Sequence, residues 1–130
     1  MDRQYDKYGF RFREWDIYKD ARKFRIEMYN LLKTYPIEEK YALVDQTKRA
    51  LNSIILNIAE GANKGTDKET KLYILRAATS LDEVVACLDC ALDSKYINET
   101  QHQEVMQKAT SLAKRLKKFV VKLSNSQYVK

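Results

Sequence analysis

TDKETKLYILRAATSLDEVVACLDCALD, residues 66–93, is the stretch on which the fold turns. Ile74, Ala78, Leu81, Val85, Leu88 and Leu92 recur in steps of four and three. Such steps hold apolar side chains on one face of a helix, whereas a strand would alternate every second residue. Thr66 followed three residues later by Glu69 is a capping box, in which hydroxyl and carboxylate each satisfy a free backbone N–H. No glycine or proline interrupts the run. A long helix over 67–94 is therefore expected.

Moving outward, Gly61-Ala62-Asn63-Lys64-Gly65 reads as a helix stop and loop. It closes a second helix over 37–62, whose seam is Leu43, Thr47, Ala50 or Leu51, Ile54 and Ile58. Pro36 separates that helix from a first one over 13–34, because proline biases the preceding Tyr35 toward extended backbone. Pro36 also suits the start of the second helix, with Glu38 and Glu39 favourable in its first turn. The first seam is Ile17, Ala21, Phe24, Met28, Leu31 and Tyr35, flanked by Trp15, Tyr18 and Leu32. Downstream, Tyr96 and Ile97 are expected to pack back from a short connection. A fourth helix over 100–124 follows, capped by Thr100 with Gln103 or by Asn98 with Gln101. Its seam is Val105, Ala109, Leu112, Leu116, Phe119 and Leu123. Residues 1–12 read as an arm and 125–130 as a tail. With only three Gly and one Pro, hairpin architectures lack their turn residues. The expectation is an all-α, antiparallel up-and-down four-helix bundle, one domain over 1–130.

Composition narrows the function classes. No apolar run reaches the roughly 18–20 residues that a membrane span requires. The first residues lack the apolar centre of a signal peptide, and two cysteines fit a reducing, cytoplasmic setting. Cys87-Leu88-Asp89-Cys90 has C-x-x-C spacing, but redox pairs use a helix N-terminus, and this one falls deep inside a helix. A structural zinc would need two more ligands, and His102 is the only histidine. Both cysteines read as small packing residues, and His102 as a solvent-facing residue of the fourth helix. Asp82 with Glu83, like Glu38 with Glu39, diverge by about 100° on a helix and do not form an acid/base pair. Gly61 and Gly65 lack the Lys-Ser/Thr that completes a phosphate loop. No catalytic residue, metal or cofactor is expected.

Charge is uneven. The formal net charge is +6, of which residues 98–130 hold +5 and residues 1–34 hold +3, while residues 67–97 hold −2. Lys108, Arg115, Lys118 and Lys122 line a face of the fourth helix away from its seam, with Lys114 and Lys117 beside it. Near the N-terminus Tyr5, Tyr8, Phe10 and Phe12 interleave with Lys7, Arg11 and Arg13. Cations for phosphates and aromatics for bases are what sequence-tolerant RNA binding needs. Lysine-rich faces equally keep a bundle soluble. In the second helix Gln46, Arg49, Ser53, Asn57 and Glu60 form a polar stripe beside crowded apolar residues. Either another subunit covers that helix, or it lies centrally in its own bundle with the stripe bonded to Ser80 or Glu83 of the third.

Asp45-Gln46-Thr47-Lys48-Arg49-Ala50, then Ser53-Ile54 and Asn57-Ile58-Ala59-Glu60-Gly61, resembles the "four helix bundle proteins". These include the proteins encoded in intervening sequences of bacterial large-subunit ribosomal RNA genes. Trp15, Ala21, Tyr35-Pro36, Glu39, Tyr41, Leu43, Ala78, Ser80-Leu81, Glu83 and Tyr96-Ile97 extend the resemblance over most of the chain. Ile55 and Leu56 depart from it, where small or proline residues are common, as does Thr79, where glycine is frequent. The resemblance implies the bundle fold and a ring-shaped homo-oligomer, a pentamer being favoured. It also implies a relation to the accessory variability determinants of diversity-generating retroelements, basic rings that bind a reverse transcriptase and nucleic acid. Carried over, the stripe of Gln46, Arg49, Ser53, Asn57 and Glu60 is structural or inter-subunit.

Overall fold

The structure is a computed structural model, and it describes residues 9–125. The described residues form four helices and no strand: α1 (Asp16–Leu32), α2 (Leu43–Ala62), α3 (Asp67–Asp93) and α4 (Glu99–Ser124). Each packs on its neighbours in the chain, and α4 returns to α1, the contact order of an up-and-down bundle. The α2–α3 and α3–α4 contacts are the most extensive. No described helix is long and apolar enough to cross a membrane.

Two helix starts differ from expectation. Residues 11–14 form a separate 3-10 turn, and Trp15 is extended at φ −72°, ψ 132°, so α1 begins at Asp16 rather than 13. That kink swings the Trp15 ring onto Phe119 of α4, 4.9 Å between centroids. Pro36 opens only a 3-10 turn over Ile37–Glu39, and α2 waits until Leu43. The Glu39 carboxylate decides this start: it accepts from the Leu43 N–H at 3.3 Å and from the Tyr96 hydroxyl at 2.5 Å. Asn98 and Gln101 form the full capping box of α4, whereas at α3 only half of the expected box forms. Thr66 Oγ1 accepts from the Glu69 N–H at 3.2 Å, and the Glu69 carboxylate accepts from the Thr66 hydroxyl at 3.3 Å instead of from a backbone N–H.

The core is one cluster fed by all four helices. On α3 the buried line is Thr70, Ile74, Ala77, Leu81, Val84, Leu88 and Ala91, so Ala77, Val84 and Ala91 replace the expected Ala78, Val85 and Leu92. Hydropathy is indifferent between the two lines at 77/78 and 84/85, so the packing of the helices selects the first, and at 91/92 it buries the smaller Ala91. For the same reason Leu32 is buried rather than Leu31, and Val44 rather than Leu43. α2 ends at Ala62, within the 61–65 stop expected, but Gly61 has a further role. It is helical and buried, and a Cβ there would sit 2.7 Å from the Tyr73 Cβ. Its absence lets α2 and α3 approach, and Thr70 Oγ1 donates to the Gly61 carbonyl at 2.8 Å.

A candidate nucleic-acid interface

The basic residues of α4 divide into two groups. Lys108 pairs with Glu27 of α1, and Arg115 pairs with Asp20 of α1. These two cations fasten α4 to α1, and their charge is locally neutralised. Lys114, Lys117, Lys118 and Lys122 are exposed and have no ion pair among the described residues. Arg11 and Arg13 are exposed on the 3-10 turn, with Phe12 between them packed edge-on against Tyr18 at 5.0 Å. Tyr5, Lys7 and Tyr8 lie outside the described residues.

The sequence reading missed a second group of cations, in the groove between α1 and α2. Tyr18, Arg22, Arg25 and Tyr29 step by four, three and four along α1 and so share one flank. The Arg22 guanidinium lies 5.6 Å from the Tyr18 ring centre. Arg25 lies 4.1 Å from the ring centre of Tyr29 and donates through Nε to Asn52 Oδ1 of α2 at 2.7 Å. Lys48 of α2 reaches the same Tyr29 ring at 4.9 Å. None of these three cations has a carboxylate partner among the described residues. Counting charge along the chain concealed them, because the opposite flank of α1 carries the Asp20 and Glu27 that balance the count. The four-three-four spacing of Tyr18, Arg22, Arg25 and Tyr29 was the available signal.

The polar stripe of α2 also divides. Ser53 Oγ and Ser80 Oγ are 2.8 Å apart, and Asn57 Nδ2 donates to the Ser53 carbonyl at 2.8 Å. Gln46 Nε2 donates to Glu83 at 3.5 Å. Ser53 and Gln46 bind α2 to α3, while Asn57 stays within α2 and holds Ser53. Arg49 faces solvent and pairs within its own helix with Asp45 at 3.0 Å, and Glu60 is exposed. Steps of three and four drift around the helix, which carries Arg49 and Glu60 beyond the reach of α3.

Of the two cysteines expected to be packing residues only Cys87 is one. Cys87 is buried and Cys90 exposed, both as free thiols. Burial raises the Cys87 thiol, Thr47 opposing this by a hydrogen bond, so the thiolate is disfavoured. His102 is not the open surface residue expected: it is half-buried and its Nε2 lies 2.9 Å from Asp89 Oδ1 of α3. Burial pushes the Tyr35 hydroxyl up to about 12, and the Glu39 hydrogen bond raises Tyr96. No group of three or more His, Cys, Asp or Glu among the described residues could hold a metal ion.

Comparison with known proteins now meets this geometry. The family model of the 23S rRNA-intervening sequence protein matches residues 13–118, from the 3-10 turn into the last third of α4. The chain belongs to that family. A protein of unknown function from the S23 ribosomal protein family of Bacteroides thetaiotaomicron has a similar crystal structure, with a TM-score of 0.73 at 21% identity. The match covers 80% of this chain and 97% of that one, and at this identity it shows the fold alone. No curated protein matches the chain. Within this chain several residues of the family pattern make contacts between elements: Ser53 toward α3, Gly61 at the α2–α3 approach, Glu39 with Tyr96 at the opposite end.

Proposed function

We propose that this protein is a non-enzymatic, homo-oligomeric bundle that binds RNA through its basic outer surface. One observation carries the reading: the positive charge left after pairing lies on the outside. Lys114, Lys117, Lys118 and Lys122 are exposed on α4 with no ion pair among the described residues, on a chain of net charge +6. Cations so placed exchange their counterions for phosphates and make affinity salt-dependent. The name of the family associates its members with an RNA, in agreement with that charge. The non-enzymatic part is supported by the engagement of His102 with Asp89 and by a Cys87 thiol held protonated.

The oligomer, a ring with a pentamer favoured, rests on the family resemblance and on exposed apolar side chains. Leu72 and Leu75 lie exposed on α3, and Ile37 and Tyr41 are 84% and 85% exposed beside the start of α2. Head-to-tail ring contacts join two different patches, which separate apolar sites supply. The same Ile37 and Tyr41 favour a second reading, a scaffold that docks a protein such as a reverse transcriptase.

Fluorescence anisotropy with a structured RNA, titrated from about 50 to 200 mM salt, tests the first reading. Affinity is expected to fall steeply across that range. Absence of binding at the low end would discard RNA binding and leave the scaffold reading ahead. Light scattering on the 15.3 kDa chain tests the assembly, and a monomeric mass would remove the ring.

A further inference from the structure

Resting on the RNA-binding reading above, we propose that the phosphate backbone seats in the α1–α2 groove on Arg22, Arg25 and Lys48. The α4 lysines then attract it from a distance without forming the contact site.

The partition of ion pairs is the first argument. The carboxylates Asp20 and Glu27 face α4 and neutralise Arg115 and Lys108 there. Arg22, Arg25 and Lys48, on the other side of α1, face no carboxylate among the described residues. Two arginines and a lysine from facing helices thus form a concentrated site for a polyanion.

Preorganisation is the second. A solvated lysine loses rotamer freedom when a ligand fixes it. The groove cations are already placed: Arg25 by the Tyr29 face and Asn52, Lys48 by the same ring, Arg22 by Tyr18. Because Arg25 bonds Asn52 through Nε, its two terminal nitrogens keep the fork that matches a pair of phosphate oxygens. Arg22 and Arg25 are three residues apart, a rise of about 4.5 Å, so they address neighbouring phosphates along the axis of α1.

The covered rings define the ligand class. Tyr18 and Tyr29 hold cations on their faces and offer little stacking surface to a base. Recognition here is of backbone and charge, so binding is tolerant of sequence. Ile26 and Leu56, 58% and 65% exposed, share the groove. They are what a second copy of the chain would cover, and the test separates that occupant.

Binding of a fluorescein-labelled RNA hairpin is measured for three proteins: wild type, Arg22→Gln/Arg25→Gln/Lys48→Gln, and Lys114→Gln/Lys117→Gln/Lys118→Gln/Lys122→Gln. The groove variant removes fewer charges than the α4 variant, yet is expected to lose about tenfold more affinity and about three units of log–log salt slope, one per phosphate contact. A second hairpin of unrelated sequence should give the same affinities. Arg22→Gln alone, at an exposed position, should lower the slope by about one unit without disturbing the fold. If wild type binds and the α4 variant loses more than the groove variant, the proposal falls while RNA binding stands. If wild type does not bind at low salt, the RNA-binding reading and this proposal both fall. A drop in the mass of the groove variant by light scattering would assign the groove to a second copy and overturn the proposal.

Discussion

Gly61 shows how far a single residue's meaning depends on its neighbours across the fold. Glycine inside a helix ordinarily costs about 1 kcal/mol relative to alanine, so a helix-propensity argument would favour Gly61→Ala. The space argument wins here, because the new Cβ would lie 2.7 Å from the Tyr73 Cβ and 3.3 Å from the Thr70 carbonyl. Both obstacles belong to the body of α3 and cannot swing aside. Gly61→Ala is therefore expected to destabilise by about 1–3 kcal/mol in urea denaturation. Tyr35 supplies a pH-dependent counterpart. Its folded-state value of about 12 lies above the ordinary 10. Between those values the unfolded chain has released the proton while the folded chain still holds it, so stability falls as pH rises. The contribution is intact below pH 10 and lost progressively toward 12, on the order of 2 kcal/mol in all. Tyr35→Phe should flatten that alkaline decline, seen as a smaller loss of stability in urea denaturation between pH 9 and 11, by about 1 kcal/mol.

At the scale of the element, the end of α3 carries a strained stop. Tyr96 N–H bonds the Ala91 carbonyl at 2.9 Å and Lys95 N–H bonds the Leu92 carbonyl at 3.0 Å, the paired bonds of a Schellman motif. The motif needs a left-handed residue, and Lys95 fills that place at φ 64°. A side chain there costs roughly 1 kcal/mol that glycine avoids. Lys95→Gly is expected to raise stability by about 0.5–1 kcal/mol in the same denaturation assay; a loss would mean that the lysine side chain contributes more than its backbone strain costs. The motif turns the chain so that Ile97 is buried and Tyr96 reaches Glu39, 57 residues away. One helix terminus thereby sets where another helix, α2, begins.

Over the whole molecule the organising feature is a segregation of charge across α1. Asp20 and Glu27 face α4, and Arg22 and Arg25 line the groove with α2. The α1–α4 pairs are solvent-accessible, and such pairs contribute about 0–1 kcal/mol each. Asp20→Asn/Glu27→Gln should therefore leave the melting temperature nearly unchanged. It would release Lys108 and Arg115 and raise the net positive charge, so RNA affinity at low salt should increase with a steeper salt dependence. A large fall in stability instead would make these pairs structural clamps, and an unchanged affinity would separate RNA binding from bulk charge.

Sequence alone determined the helical class, the approximate extent of α3 and α4, and the seam residues that hold the helical period in every helix. Ile17, Ala21, Phe24, Met28, Ile54, Ile58, Ile74, Leu81, Leu88 and Leu116 were legible because periodicity and capping are local properties. The family string around residues 45–61 was legible as well. Tertiary structure decided the rest. Which member of each apolar pair is buried depends on how the helices pack against one another. Where α2 starts depends on Glu39 and Tyr96, and why Gly61 is glycine depends on Tyr73. The distinction between paired and unpaired cations depends on which helix lies beside which. Lys108 and Arg115 look like Lys118 and Lys122 in the chain, and only the flank of α1 against which they fold separates them. Charge acts through space, and a count along the chain has no record of that distance.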